Sequence, residues 1–308
     1  MSTSLTSPGL VFAANKVLIG AHRAIAKTSQ FATDFSADAA NPGDTMAVEF
    51  FDTDPAGDYD EQSNNYGTVN GTVGDVKVTF DKRVKKTYGY KPTDLLKASA
   101  SIWSRKGDAA GLAVGLAIEQ KVAALINSTN IPKTGEGFGS YNEQVVATIT
   151  KKALSNLRAA CADVGESGID PAQTILVLTP AAFADALALF DANVYGGSEA
   201  IRLGMLPGLY GFKGVMELQL SKTAGENLVG ALVPADALGV AGRTIPADDV
   251  GDGAECGFTT DEESGLTVGT YAFVDHNTRT HKFTMEALFG AKLIQPGKCV
   301  RLVSSATA

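Results

Sequence analysis

An α+β fold is what the residue pattern predicts, and three observations carry it. The glycine-pivoted segment Ile201 to Leu220 (IRLGMLPGLYGFKGVMELQL) and the segment Thr270 to Val303, about fifty residues later, both read as strands. The run Thr174 to Leu178 (TILVL) is short, continuous and apolar, the mark of a strand buried on both faces. Thr179-Pro180 behind it is an N-cap and N1 pair that starts a helix over Ala181 to Phe190. Two further stretches, Asp108 to Ser128 and Asn142 to Val164, have the residues of long helices.

Along the chain, Val11 to Ala26 is fairly apolar but is interrupted by Lys16, His22 and Arg23, and no basic region precedes it. Neither a signal peptide nor a membrane span fits, and a partly amphipathic helix or an arm lying on a neighbour is expected. Asn41-Pro-Gly-Asp44 opens a strand Met46 to Phe51, and a second strand follows at Val76 to Phe80. There Val76, Val78 and Phe80 share one face while Lys77, Thr79 and Asp81 share the other. The two strands make a long hairpin with a polar tip and little core of its own.

Charge divides this region. Glu49, Asp52, Asp54, Asp58, Asp60 and Glu61 make its first part acidic; Lys77, Lys82, Arg83, Lys85, Lys86 and Lys91 make its return basic. Any isolated charge run is ordinarily a solvated loop. If copies pack side by side, however, the acidic part of one meets the basic part of another, which sets orientation more than affinity.

The helix Asp108 to Ser128 takes Asp108 as N-cap and is closed by Asn130 and Pro132; at about 1.5 Å per residue it spans on the order of 30 Å. Gly107, Gly111 and Gly115 mark a face for close packing against a sheet or an arm. After the glycine-rich linker Lys133 to Gly139, Ser140 and Glu143 form a capping box for the helix Asn142 to Val164, with Val145, Ile149, Ala153, Leu154 and Leu157 at helical spacing. In the last third, Phe273, Phe283, Phe289 and Val300 alternate among Arg279, Lys282, Glu286 and Arg301, the pattern of a half-buried mixed sheet.

Composition narrows the function. With 26 Lys and Arg against 34 Asp and Glu, the net charge of -8 argues against a surface built to grip phosphates. Three cysteines, Cys161, Cys256 and Cys299, are widely spaced with no CxxC, so neither a disulfide framework nor a zinc ribbon is indicated. Asp52 to Asp60 superficially matches a calcium loop, but Ala56 supplies no side-chain oxygen and Ser63 stands where a closing Glu is needed. Gly135, Gly137 and Gly139 follow a helix instead of a strand and lack a Walker lysine, so they read as a linker. His276 and His281 are five apart, out of register for one metal on a strand or a helix, and no G-x-S-x-G or H-E-x-x-H is present. No catalytic, metal or cofactor residues are assigned, and a non-enzyme is expected.

The joint order of these elements resembles the tailed-bacteriophage major capsid proteins of the HK97-like fold over nearly the whole chain. ILVLTPAAFADAL at Ile175 to Leu187 matches a recurrent strand, proline and helix pattern of that family, and HKFTMEALFGAKLIQPGKCVRLV at His281 to Val303 looks like its late strands. The resemblance implies an N-arm over 1–45, an extended E-loop hairpin with flanking strands over 46–90, and a peripheral domain with a long spine helix over 91–145. It further implies an axial domain over 146–270, a return strand over 271–290 and a final strand over 291–308. By the same resemblance the chain assembles with itself as pentamers and hexamers into an icosahedral shell enclosing double-stranded DNA without reading its sequence. A separate scaffolding protein and a portal are the implied partners, without a membrane, and the implied location is the virion capsid, built in the bacterial host cytoplasm. The expected contacts between subunits are Asp52, Asp54, Asp58, Asp60, Lys82, Arg83, Lys85 and Lys86. An encapsulin-like nanocompartment shares the fold and is the first alternative; a soluble α/β enzyme is the second.

Overall fold

A computed structural model describes residues 32–35, 45–51, 73–90, 100–131, 142–163, 169–189, 206–207, 210–220, 226–243, 255–260, 267–275 and 277–305. In chain order the strands are β1 (Thr33–Asp34), β2 (Thr45–Phe51), β3 (Val73–Thr79) and β4 (Lys82–Tyr90), before helix α1 (Ala100–Ala123). Then come β5 (Glu143–Val145), α2 (Lys151–Asp163), β6 (Thr174–Leu178), α3 (Pro180–Ala188), β7 (Leu206–Pro207) and β8 (Gly214–Glu217). The remainder is β9 (Leu228–Pro234), β10 (Leu238–Arg243), β11 (Glu255–Thr260), β12 (Thr267–Asp275), β13 (Thr280–Leu293) and β14 (Val300–Val303). The chain divides into two compact units, one of residues 1–46, 78–122 and 239–292, the other of 47–77, 123–238 and 293–308.

The first unit is organised by β13, whose 14 residues serve several partners at once. β12 runs antiparallel along one side, from Val268 opposite Ala287 to Asp275 opposite Thr280. β4 runs antiparallel along the other, from Lys82 opposite Phe289 to Tyr90 opposite His281. The sheet order is β1-β10-β13-β12-β11, with β4 paired to β13 beside this path. Alternation puts Phe283, Met285, Ala287 and Phe289 of β13 on one face, and all four are buried. Gly290 sits where a side chain has no room, because a Cβ there would lie 2.6 Å from the Thr79 carbonyl oxygen. Within α1 the buried positions Gly107, Ala110, Gly111, Val114, Gly115, Ile118 and Val122 recur at helical spacing and form one stripe.

In the second unit the sheet order is β5-β14-β9-β6-β8-β7. β6 is central and buried at every position, with β9 antiparallel on one side and β8 parallel on the other. Leu176 and Leu178 point to the same face as Leu232, Val300, Leu302 and Val215, and there they join Leu154, Leu157 and Cys161 of α2 and Ala182, Phe183 and Ala186 of α3 in one core. The opposite face carries Val177, Ala231 and Arg301, which pair across the strands. Both faces of β6 are therefore dry, as its unbroken apolar run predicts. Pro180 starts α3 as expected, although the N-cap Thr179 makes no side-chain capping bond.

Local signals misplaced three helix boundaries. Asp108 is not an N-cap: α1 begins at Ala100 and carries Asp108 inside it. It ends at Ala123, before the expected Ser128: the Ala123 carbonyl accepts from the Ile126 amide at 3.1 Å, and in the turn beyond it Asn127 and Asn130 donate from Nδ2 to the carbonyls of Ala124 and Leu125, at 2.8 and 3.0 Å. The capping box was the larger error. Glu143 belongs to strand β5, parallel to β14, and the helix begins only at Lys151. Its cap is Thr150, whose Oγ1 accepts from the Ala153 amide at 3.1 Å. Asp52 to Glu61 of the acidic stretch, the glycine-rich linker, His22, His276 and the apolar stretch Val11 to Ala26 lie outside the described residues.

Gly230, on β9 beside β6, has as little room as Gly290: a Cβ there would stand 2.5 Å from the Val177 carbonyl oxygen and 2.8 Å from Leu178 Cδ2. The expected result for Gly230→Ala is a loss of about 1–3 kcal/mol in urea unfolding, the usual cost of overpacking. An unchanged midpoint would show that the β6–β9 pair yields freely.

Candidate functional site

Among the described residues the groups that carry covalent chemistry are poorly placed for it. Cys161, Cys256 and Cys299 are all buried and free. Burial pushes the Cys161 thiol up to about 11, and burial, with the Asp236 carboxylate nearby, pushes Cys299 up to about 12. The thiolate is the reactive form, so neither is a ready nucleophile near neutral pH. No group of three His, Cys, Asp or Glu among the described residues could hold a metal ion. No helix there is long and apolar enough to cross a membrane. What is built with care is a set of charges, some buried inside sheets and some displayed on a strand.

The most enclosed set surrounds Arg301. Its side chain is 1% exposed, and its two terminal nitrogens reach Glu143 Oε2 at 2.6 Å and Glu226 Oε2 at 3.1 Å. The strand pairing explains the first contact, since Arg301 of β14 stands directly opposite Glu143 of β5. Glu226 precedes β9 and also accepts from the Ser128 amide at 3.0 Å and from Ser128 Oγ at 2.5 Å. The Arg301 amide donates to the Asn142 carbonyl at 2.7 Å, and Asn142 Nδ2 donates to the carbonyls of Pro296 and Gly297. One guanidinium thus joins β14, β5, the turn before β9 and the segment after α1. Arg301 and Glu286, expected on the wet side of a half-buried sheet, are instead buried.

The expected contact residues fall into distinct groups. Asp52, Asp54, Asp58 and Asp60 lie outside the described residues. Lys82, Arg83, Lys85 and Lys86 share β4, but two of the four are engaged within the chain. Arg83 donates from Nε and Nη2 to the two carboxylate oxygens of buried Glu286, at 3.0 and 2.7 Å. Lys82 Nζ donates to Asp81 Oδ1 at 2.9 Å and to the Ala291 carbonyl at 3.4 Å. Lys85 and Lys86 are exposed, with Lys86 Nζ 5.7 Å from the centroid of the Tyr88 ring. At the turn between β12 and β13, Lys282 Nζ lies 2.6 Å from Asp275 Oδ2. The Lys282 ammonium, with a further hydrogen bond from Thr278, holds the Asp275 carboxyl down to about 2.

The buried cluster was missed from sequence, and one signal marked half of it. CVRLV places a lone arginine inside an apolar run, which on a strand buried on both faces demands a carboxylate partner. Nothing local points to Glu143 or Glu226 as that partner.

No family model matches the chain, and no curated protein matches it. Solved structures do resemble it. A chain in the capsid structure of the cyanophage P-SCSP1u aligns with a TM-score of 0.56 at 12% identity, over 90% of this chain and 87% of that one. A chain in the capsid of a native GTA particle aligns at 0.55 and 15% identity, over 93% and 90%. A chain of the virus-like particle from Pyrococcus furiosus aligns at 0.51 and 15% identity, over 94% and 97%. The mixed α+β fold is therefore the fold of capsid chains.

Arg301→Ala leaves two carboxylates without their shared cation, and a loss of about 3–5 kcal/mol in chemical denaturation is expected. A loss below about 1 kcal/mol, the scale of exposed pairs, would show that solvent reaches the cluster. Asp275 titrates lower folded than in an unfolded chain, where an aspartate sits near about 3.9. Its contribution to stability is therefore present above about pH 4 and disappears as the pH falls towards 2. Asp275→Asn should flatten the acid limb of a stability profile over that window; parallel profiles for the two proteins would contradict the linkage.

Proposed function

We propose that this chain is a shell-forming capsid protein, many copies of which close into an icosahedral particle around double-stranded DNA. The observation that carries this reading is the likeness to capsid chains across nearly the full length of both partners, 90% and 87% for the cyanophage chain and 93% and 90% for the GTA chain. A shared module inside an unrelated protein would not align end to end. The placement of reactive groups agrees, because the thiols are buried and the ordered charges join strands instead of lining a reaction centre. In this reading 1–45 serve as an arm, 46–90 as an extended loop with its strands, and the rest as peripheral and axial parts of an HK97-like subunit. The mechanism is additive: each interface is modest, and a subunit held by several neighbours gains the sum. The net charge of -8 gives an enclosed polyanion little to adhere to. A scaffolding protein and a portal are the proposed assembly partners, and the virion is the proposed location.

A second reading, an encapsulin-like nanocompartment, is favoured by one observation: the virus-like particle chain aligns over 94% of this chain and 97% of its own length. Nucleic-acid content separates the two.

Electron microscopy of the purified chain, with and without a scaffolding partner, is expected to show closed shells of uniform diameter, and particles recovered from cells are expected to contain DNA. Closed shells filled with protein and free of DNA would favour the compartment reading. Small species persisting under every assembly condition would overturn both.

A further inference from the structure

We propose that Lys85 and Lys86 of β4 dock the acidic stretch 49–61 of a second copy of this chain. This deepens the shell reading and rests on it. The structure sorts the four cations of β4 in a way that the sequence does not. Lys82 is matched by Asp81, and Arg83 occupies both oxygens of Glu286. Lys85 stands directly across the ladder from Glu286, and that carboxylate is already saturated by Arg83. Lys86 stands across from Met285. Neither lysine has an ion pair among the described residues, so the strand displays two uncompensated positive charges in a chain whose net charge is -8.

Geometry narrows what can meet them. Neighbouring residues of a strand point to opposite faces, so Lys85 and Lys86 straddle the strand. Among the described residues β4 pairs only with β13. A segment crossing the free edge of β4 reaches both lysines, whereas a flat surface laid on one face reaches only one. An extended, multiply charged segment fits that requirement. The chain supplies a multiply charged stretch in Glu49, Asp52, Asp54, Asp58, Asp60 and Glu61. Nucleic acid fits less well, because affinity for phosphates grows with the number of cations engaged, and two supply little of it. A contact between exposed charges is also screened by salt over about 10 Å at 0.1 M, so it acts on assembly and leaves the core alone.

The test uses two full-length variants that alter the charge on the two sides of the contact. The first combines Lys85→Gln with Lys86→Glu; glutamine is chosen at 85 because a carboxylate there would oppose buried Glu286. The second combines Asp58→Lys with Asp60→Lys. Each variant alone is expected to keep the melting temperature of the unaltered chain and to lose particles in sedimentation and microscopy. An equimolar mixture is expected to regain them, since the unaltered acidic stretch of the first then meets the unaltered strand of the second, while the stretch of the second, cut from six negative charges to a net two, meets a strand of the first that no longer displays its two lysines. Particles from either variant alone at the unaltered yield overturn the contact. Failure of the mixture to recover also overturns it, because a contact within one chain or with nucleic acid gains nothing from mixing. If a charge-altered variant unfolds, the neutral pair Lys85→Gln with Lys86→Gln replaces it, and an undiminished particle yield is then the overturning result. Absence of particles from the unaltered chain overturns the shell reading itself, and this contact with it.

Discussion

A charge placed inside a sheet must be matched where it lies, and much of this structure follows from that constraint. Arg301 is enclosed on β14, and water cannot compensate it there. Its carboxylates come from 158 and 75 residues away in sequence, Glu143 and Glu226. Satisfying them fixes β5 beside β14 and ties the turn before β9 to the segment after α1 through Ser128. Net stabilisation by such clusters is small, because desolvating three charges offsets most of their attraction. Their consequence is selectivity: a shifted register leaves a buried charge alone, and that state is strongly disfavoured.

The first unit repeats the device in milder form. Glu286 is buried on β13 and takes Arg83 from the neighbouring β4, 203 residues away, while Thr284 and Thr87 share a hydrogen bond at 2.9 Å on the same face. Apolar alternation on the other face, through Phe283, Met285, Ala287 and Phe289, supplies the burial that holds these strands together. The polar face then decides which residue of β4 meets which residue of β13. Among the described residues the charges of this sheet are ordered between strands and hold β4 in one register against β13.

How far the sequence was legible depended on whether the deciding contact was local. TILVL is buried at each position, and Thr179-Pro180 starts a helix, because both signals act within a few residues. The half-buried alternation of Val76, Val78 and Phe80 also holds, with Val78 buried and Lys77 and Thr79 exposed. Glu143 was misread because an S-x-x-E spacing satisfies a local rule, and the residue that overrides it, Arg301, lies at the far end of the chain. The strands β9, β10 and β11, in the fifty-residue interval that the sequence left unassigned, carry small residues such as Gly230, Ala231, Gly239 and Gly257, whose weak propensities hide them.

The chain by itself determined its class and the presence of β6 and the three helices, since period, the Thr-Pro helix start and the apolar run at β6 depend on neighbours within a turn or a pleat. It also determined that a charge surplus exists on one short strand and its opposite on a nearby stretch. Only the tertiary structure decided which cations of that strand are consumed and which are left, because Glu286 reaches Arg83 through a pairing between strands far apart in sequence. Only it decided, too, that Arg301 and Glu143 are interior. Hydrogen bonds and ion pairs between remote segments leave no periodic trace in a sequence, and they come into being when the sheets close.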